Sequence, residues 1–116
     1  MNNEKAKTHG KARSKEWPKV RKDYLKKHPK CFICLGITHL NVHHVQSFAS
    51  HPELELEESN LITLCENKGG GINCHLAFGH LGNFKSINKD VREDAKIWRL
   101  KILNRPKLIK GVWVYP

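Results

Sequence analysis

No stretch of the 116 residues approaches the about 20 consecutive apolar residues that a membrane-spanning helix needs, so a helical membrane protein is excluded. The basic N-terminus, MNNEKAKTHGKARSK, has no apolar segment behind its charges; no secretory leader is expected, and the chain reads as cytoplasmic. No internal repeat is visible. Acidic side chains are scarce, 11 Asp and Glu against 21 Lys and Arg, which gives a formal net charge of +10 and a pI near 9.7. Such an excess points to an anionic polymer as partner, with an acidic membrane surface a weaker choice. At 13.4 kDa there is room for one domain. With 39% hydrophobic and 28% charged residues its core is small, and an additional staple is expected.

The positive charge is concentrated at the front. Residues 1–30 hold eleven Lys and Arg against Glu4, Glu16 and Asp23. Residues 1–13 read as a flexible basic lead and 14–116 as a single domain. The pattern predicts a helix from about Glu16 to Lys27, with Ser14 as cap, Pro18 in its first turn and Trp17, Val20 and Tyr24 on one face. Strands are predicted over Thr38–Val45 and Asn60–Leu64. A loop with three glycines at 69–71 follows, then a short helix capped by Asn73 and ended by Gly79. A last helix is predicted from about Lys89 to Leu103, with Val91, Ala95, Trp98 and Ile102 as its apolar stripe. The tail from Leu108 is either strand or packed coil.

Four cysteines are present, Cys31, Cys34, Cys65 and Cys74. In a reducing compartment thiolate–metal chemistry is the better reading than disulfides. Cys31 and Cys34 form a CxxC turn, which supplies two sulfurs to one tetrahedral ion. Cys65 and Cys74 are the second pair, although eight residues separate them; His39 or His75 in place of one sulfur is the main variant. Four ligands close the site, so a structural Zn²⁺ is expected there.

Val42-His43-His44-Val45 is the second unusual feature. Neighbouring side chains on a strand leave opposite faces, so the two histidines are expected to have different roles, one as metal ligand and one as base.

Taken in order, Leu40-Asn41-Val42-His43-His44-Val45, Asn60-Leu61-Ile62-Thr63-Leu64-Cys65 and Cys74-His75 resemble the zinc-containing form of the HNH endonuclease motif. Pro52-Glu53-Leu54-Glu55-Leu56 and His75-Leu76-Ala77-Phe78-Gly79-His80-Leu81 are similar to a bacterial and phage subgroup, as is Trp17-Pro18-Lys19-Val20-Arg21 ahead of the CxxC. The resemblance spans about residues 14–104. It implies an α+β fold, a small ββα-metal (His-Me finger) core with a four-cysteine zinc knuckle and flanking helices. It also implies His44 as general base, His43 and His75 as ligands of a catalytic divalent cation, and Asn60 as the residue that steadies the hairpin and the base. His80 is an extra candidate, as third ligand or phosphate contact. On a regular helix it would stand about 140° from His75, unless Gly79 breaks the helix and lets it turn inward.

The expected activity is hydrolysis of DNA phosphodiester bonds, with duplex DNA held through phosphate contacts from the lead and from Lys96, Arg99 and Lys101. Histidine ligands leave the cation open between Mg²⁺, Mn²⁺, Ni²⁺ and Zn²⁺. The alternative is a non-catalytic, zinc-dependent nucleic-acid-binding module; a zinc-stapled protein-interaction domain is the third reading.

Overall fold

Near its middle the chain doubles back on itself. Strand β1, Leu40–His44, runs antiparallel to β2, Leu61–Cys65, with Leu40 opposite Cys65 and His44 opposite Leu61. The computed structural model describes residues 12–67 and 72–114. Helix α1, Trp17–Lys27, precedes this hairpin, and α2, Val91–Leu103, follows it. A second hairpin, β3 (Lys107–Ile109) and β4 (Val112–Val114), makes the other small antiparallel sheet. Between β2 and α2 lies a single π-helical turn, His75–Gly79.

The predicted elements are present with shifted edges. Helix α1 starts at Trp17. The Ser14 hydroxyl accepts from the Glu16 amide at 3.1 Å, so it closes the turn ahead of the helix instead of capping the helix itself. Strand β1 starts at Leu40, because His39 takes a left-handed backbone (φ 52°) that no strand continues through. Helix α2 starts at Val91. Asn88 folds the preceding residues into a turn by accepting from the Asp90 amide and donating to Asp94.

Every residue of β2 is buried, because both faces of the sheet are covered. On one side Tyr24, Val42 and Leu61 pack with Trp17 and Val20, the predicted face of α1, and the Tyr24 hydroxyl donates to the Leu61 carbonyl at 2.9 Å. On the other side Ile62 and Leu64 pack with Val91 and Ala95 of α2 and with Ile33, Cys31, Cys65 and Cys74. The cysteines therefore sit in the main core. Of the predicted α2 stripe, Val91 and Ala95 are fully buried, Ile102 packs at the core's edge, and Trp98 stays 39% exposed against Phe78.

The last hairpin turns on Lys110 (φ 50°) and Gly111 (φ 79°), the paired positive dihedrals of a two-residue turn that matches strand twist. Both residues of that turn and every β4 side chain are exposed. No helix among the described residues is long and apolar enough to cross a membrane.

Candidate metal centres

Cys31 and Cys34 come from the turn after α1, Cys65 ends β2, and Cys74 immediately precedes the π turn. Their sulfurs form one cluster that could hold a metal ion. Cys34 Sγ stands 3.7 Å from Cys65 Sγ. That is far beyond a disulfide bond, and it matches the separation of about 3.8 Å that tetrahedral geometry imposes on thiolates about 2.3 Å from zinc. The turn is built like a knuckle. The Cys31 amide donates to Gly36 O at 2.8 Å, and Leu35, at φ 66°, donates to Cys31 O at 3.0 Å. Across the gap in the spacing, the Cys74 amide donates to Cys65 Sγ at 3.4 Å.

Three of the four thiols are buried and Cys34 is half-buried. A hydrogen bond from Cys74 holds Cys31 down to about 4, whereas burial pushes Cys34 up to about 11 and the bond to Cys31 raises Cys74. One negative charge is favoured and the next is not; a divalent cation removes that conflict. Neither His39 nor His75 enters this cluster. His39 is exposed at the edge of β1, and His75 belongs to a second group.

That group is His43, His75 and His80. His43 leaves β1 toward the π turn, and His75 and His80 bracket that turn. A turn closed i to i+5 gathers residues five apart on one side, where a regular helix would separate them. The short helix expected from the sequence is present as a π turn, and His80 turns inward. His75 Nε2 lies 3.0 Å from His43 Nδ1 and 3.2 Å from His80 Nε2. Two of the outer nitrogens are spoken for: His75 Nδ1 donates to Glu66 Oε1 at 2.5 Å, and His80 Nδ1 donates to the Ser86 carbonyl at 2.8 Å, whereas His43 Nε2 is buried without a hydrogen-bond partner. The Nε2 atoms of His75 and His80 are therefore the ones that face inward. Burial lowers the pKa of His43 to about 3 and lowers that of His75, so both favour the neutral form. The separations of 3.0 and 3.2 Å are close to the distance of about 3.3 Å at which tetrahedral imidazole ligands of zinc would stand. The donor set thus fits a metal ion.

His44 occupies the opposite face of β1, as alternation predicts. Its ring packs on Trp17 at 4.5 Å between centroids, and its Nε2 donates to the Glu55 carbonyl at 2.9 Å. In the neutral form this leaves Nδ1 as the basic atom. Burial lowers its pKa, against the pull of the Glu55 carbonyl. Asn60 does not touch His44. Its side chain accepts from the Gln46 amide at 2.8 Å and donates to Gln46 O at 3.1 Å and Leu54 O at 3.3 Å, clamping the ends of the hairpin loop one residue from Glu55.

Sequence reasoning missed three contributors. Glu66 orients His75; no periodicity marks a carboxylate that follows a strand end. Gly79 was read only as a helix stop, yet a β-carbon there would meet the His43 ring at 3.1–3.2 Å. Glu55 holds His44 through its carbonyl, while its buried carboxylate accepts from the Ser14 amide at 3.1 Å and pairs with Arg13 at 3.8 Å. Of the expected basic lead, residues 1–11 lie outside the described residues, and Arg13 sits 4.3 Å over Phe48. Arg99 and Lys101 lie over aromatic rings, Phe32 and Trp98, and Lys96 is exposed. No family model, no curated protein and no solved structure matches the chain, so the chemistry of the two clusters is argued from their own residues.

Proposed function

We propose that the chain is an HNH-type endonuclease that hydrolyses DNA phosphodiester bonds, stapled by a structural zinc at Cys31, Cys34, Cys65 and Cys74. The observation that carries the reading is the second cluster. A binding module stapled by four thiolates has no use for three further imidazoles whose ring nitrogens converge at 3.0 and 3.2 Å. Two of these rings are held in one tautomer by groups behind them. The grouping of His43, His75 and His80 supports reading His43 and His75 as ligands and His80 as the third.

A divalent cation held by these residues would neutralise a non-bridging phosphate oxygen and the charge that grows on the departing one. His44, neutral near pH 7, takes the proton of the attacking water at Nδ1 while Nε2 stays anchored on Glu55. Asn60 keeps that anchor in place by fixing Leu54 and Gln46. Trp17 limits the ring's rotation. Lysines of the lead, together with the exposed Lys96 and Lys101 of α2, supply phosphate contacts that hold DNA without reading its sequence.

Incubation of the purified protein with supercoiled plasmid across Mg²⁺, Mn²⁺, Ni²⁺ and Zn²⁺ tests the reading. Conversion to open-circular or linear DNA is expected with at least one of them. Intact plasmid under all four, from protein that holds its zinc, favours the binding module instead.

A further inference from the structure

Beside the histidine cluster stands an aromatic ring that neither the fold nor the proposed chemistry uses. Phe84 is 51% exposed, yet its position is fixed. Its ring meets His80 at 5.0 Å and His75 at 5.6 Å between centroids. The loop that carries it is tied at several points: the Gly82 amide donates to Leu76 O at 2.8 Å, the Asn83 amide to His80 O at 3.0 Å, and the Ser86 amide to Asn83 O at 2.7 Å. Leu81 and Gly82 both take left-handed dihedrals to make this tight path, at φ 54° and 84°. Leu81 is 59% exposed, and Lys85 is exposed beside the ring.

A half-exposed phenylalanine costs solvation and contributes nothing to the buried core clusters. Packed against two of the imidazoles, it presents an aromatic surface at the edge of the cluster, and the exposed Lys85 follows it along the chain. A phosphate that reaches those histidines brings the nucleosides on its two sides to this surface. Aromatic side chains stack on bases without regard to sequence, and a base can take such a platform once it leaves its own stack.

We infer that Phe84 is a nucleobase subsite: it stacks on a base flanking the scissile phosphate and directs cleavage to positions where that base is unpaired. This rests on the nuclease reading and specifies its substrate as DNA with single-stranded, mismatched or otherwise unstacked positions.

The test uses two 30-nucleotide duplexes, one fully paired and one with a central 2-aminopurine mismatch, with the wild-type protein, Phe84→Ala and Phe84→Trp. Zinc content checks that each variant keeps its fold. The wild type is expected to bind and cut the mismatched duplex more strongly, with products ending beside the mismatch, and to quench 2-aminopurine on binding. Phe84→Ala should lose the quenching and at least ~10-fold of the mismatch preference, mainly in KM, whereas Phe84→Trp should retain both. Equal handling of the two duplexes by the wild type, or an unchanged preference and quenching in Phe84→Ala, overturns the subsite. Quenching that depends on Phe84 without cleavage of either duplex would keep the subsite and overturn the nuclease reading.

Discussion

In His44 a backbone carbonyl selects which ring nitrogen can accept a proton. Because Glu55 O can only accept, Nε2 carries the proton and Nδ1 is left to act. His44→Ala is expected to lower plasmid cleavage by at least ~10²-fold with zinc content and DNA binding intact. Burial lowers the His44 pKa from 6.5, so the neutral, active form persists as pH falls below that value, and activity is lost only in more acidic solution. The acid limb of kcat/KM should therefore have its midpoint below pH 6.5; a midpoint well above it would remove burial as the controlling factor. Glu66 acts one step further from the reaction. Its carboxylate accepts from the His75 Nδ1–H and is itself hydrogen-bonded by Asn41 at 3.3 Å, whose side-chain oxygen accepts from Arg21 at 3.2 Å. Glu66→Gln should raise the concentration of Mn²⁺ needed for half-maximal cleavage by ~10- to 100-fold, while the rate at saturating Mn²⁺ recovers. A purely structural role would lower that saturating rate or the melting temperature instead.

At the scale of elements, the deciding feature is the π turn at His75–Gly79. It joins a ligand at its start to one just beyond its end, and its last residue lets the His43 ring lie against bare backbone. Gly79→Ala puts a methyl group about 3.1 Å from that ring, tighter than nearly all carbon contacts, so the His43 ring must give by a few tenths of an ångström. Loss of the histidine-bound cation and of cleavage is expected, with the thiolate-bound zinc retained; calorimetric titration with Mn²⁺ separates the two. The element also marks where the sequence stopped being informative. The two strands, both helices, the opposed faces of His43 and His44 and the four-cysteine cluster were legible, because each follows from a period or a spacing. An extra residue in one helical turn has no such signature, so the inward turn of His80 was left open and Gly79 was read as a stop. Glu66 and Glu55 were illegible for a related reason: one acts through a contact nine residues along the chain, the other through its backbone.

Across the whole molecule, charge and architecture are divided. The lead carries Lys5, Lys7 and Lys11 in residues 1–11, whereas Arg13 and Ser14 already belong to the fold through Glu55. Deleting residues 1–11 should weaken DNA binding and flatten its logarithmic salt dependence by up to ~0.9 per lost phosphate contact, with cleavage at saturating DNA unchanged. Deletion through Arg13 should in addition lower the saturating rate, since it removes the ion pair on the residue that anchors His44. An identical salt slope after the shorter deletion would show that the lead makes no phosphate contact.

The two clusters are adjacent along the chain at two places. Cys65 is followed by Glu66 and Cys74 by His75, so a sulfur of the closed site stands next to a ligand of the open site or to its orienting carboxylate. The backbone that fixes one fixes the other, and this gives the molecule an order of assembly. In protein stripped of metal and reduced, the first equivalent of zinc should restore the cooperative melting transition, and only then should a second equivalent of cation bind at the histidines. Oxidation of Cys34 and Cys65 to a disulfide should abolish the second binding event without touching a single imidazole. Metal supply and thiol redox state would then decide whether a cutting centre exists at all, so the zinc would serve as a licence as well as a staple.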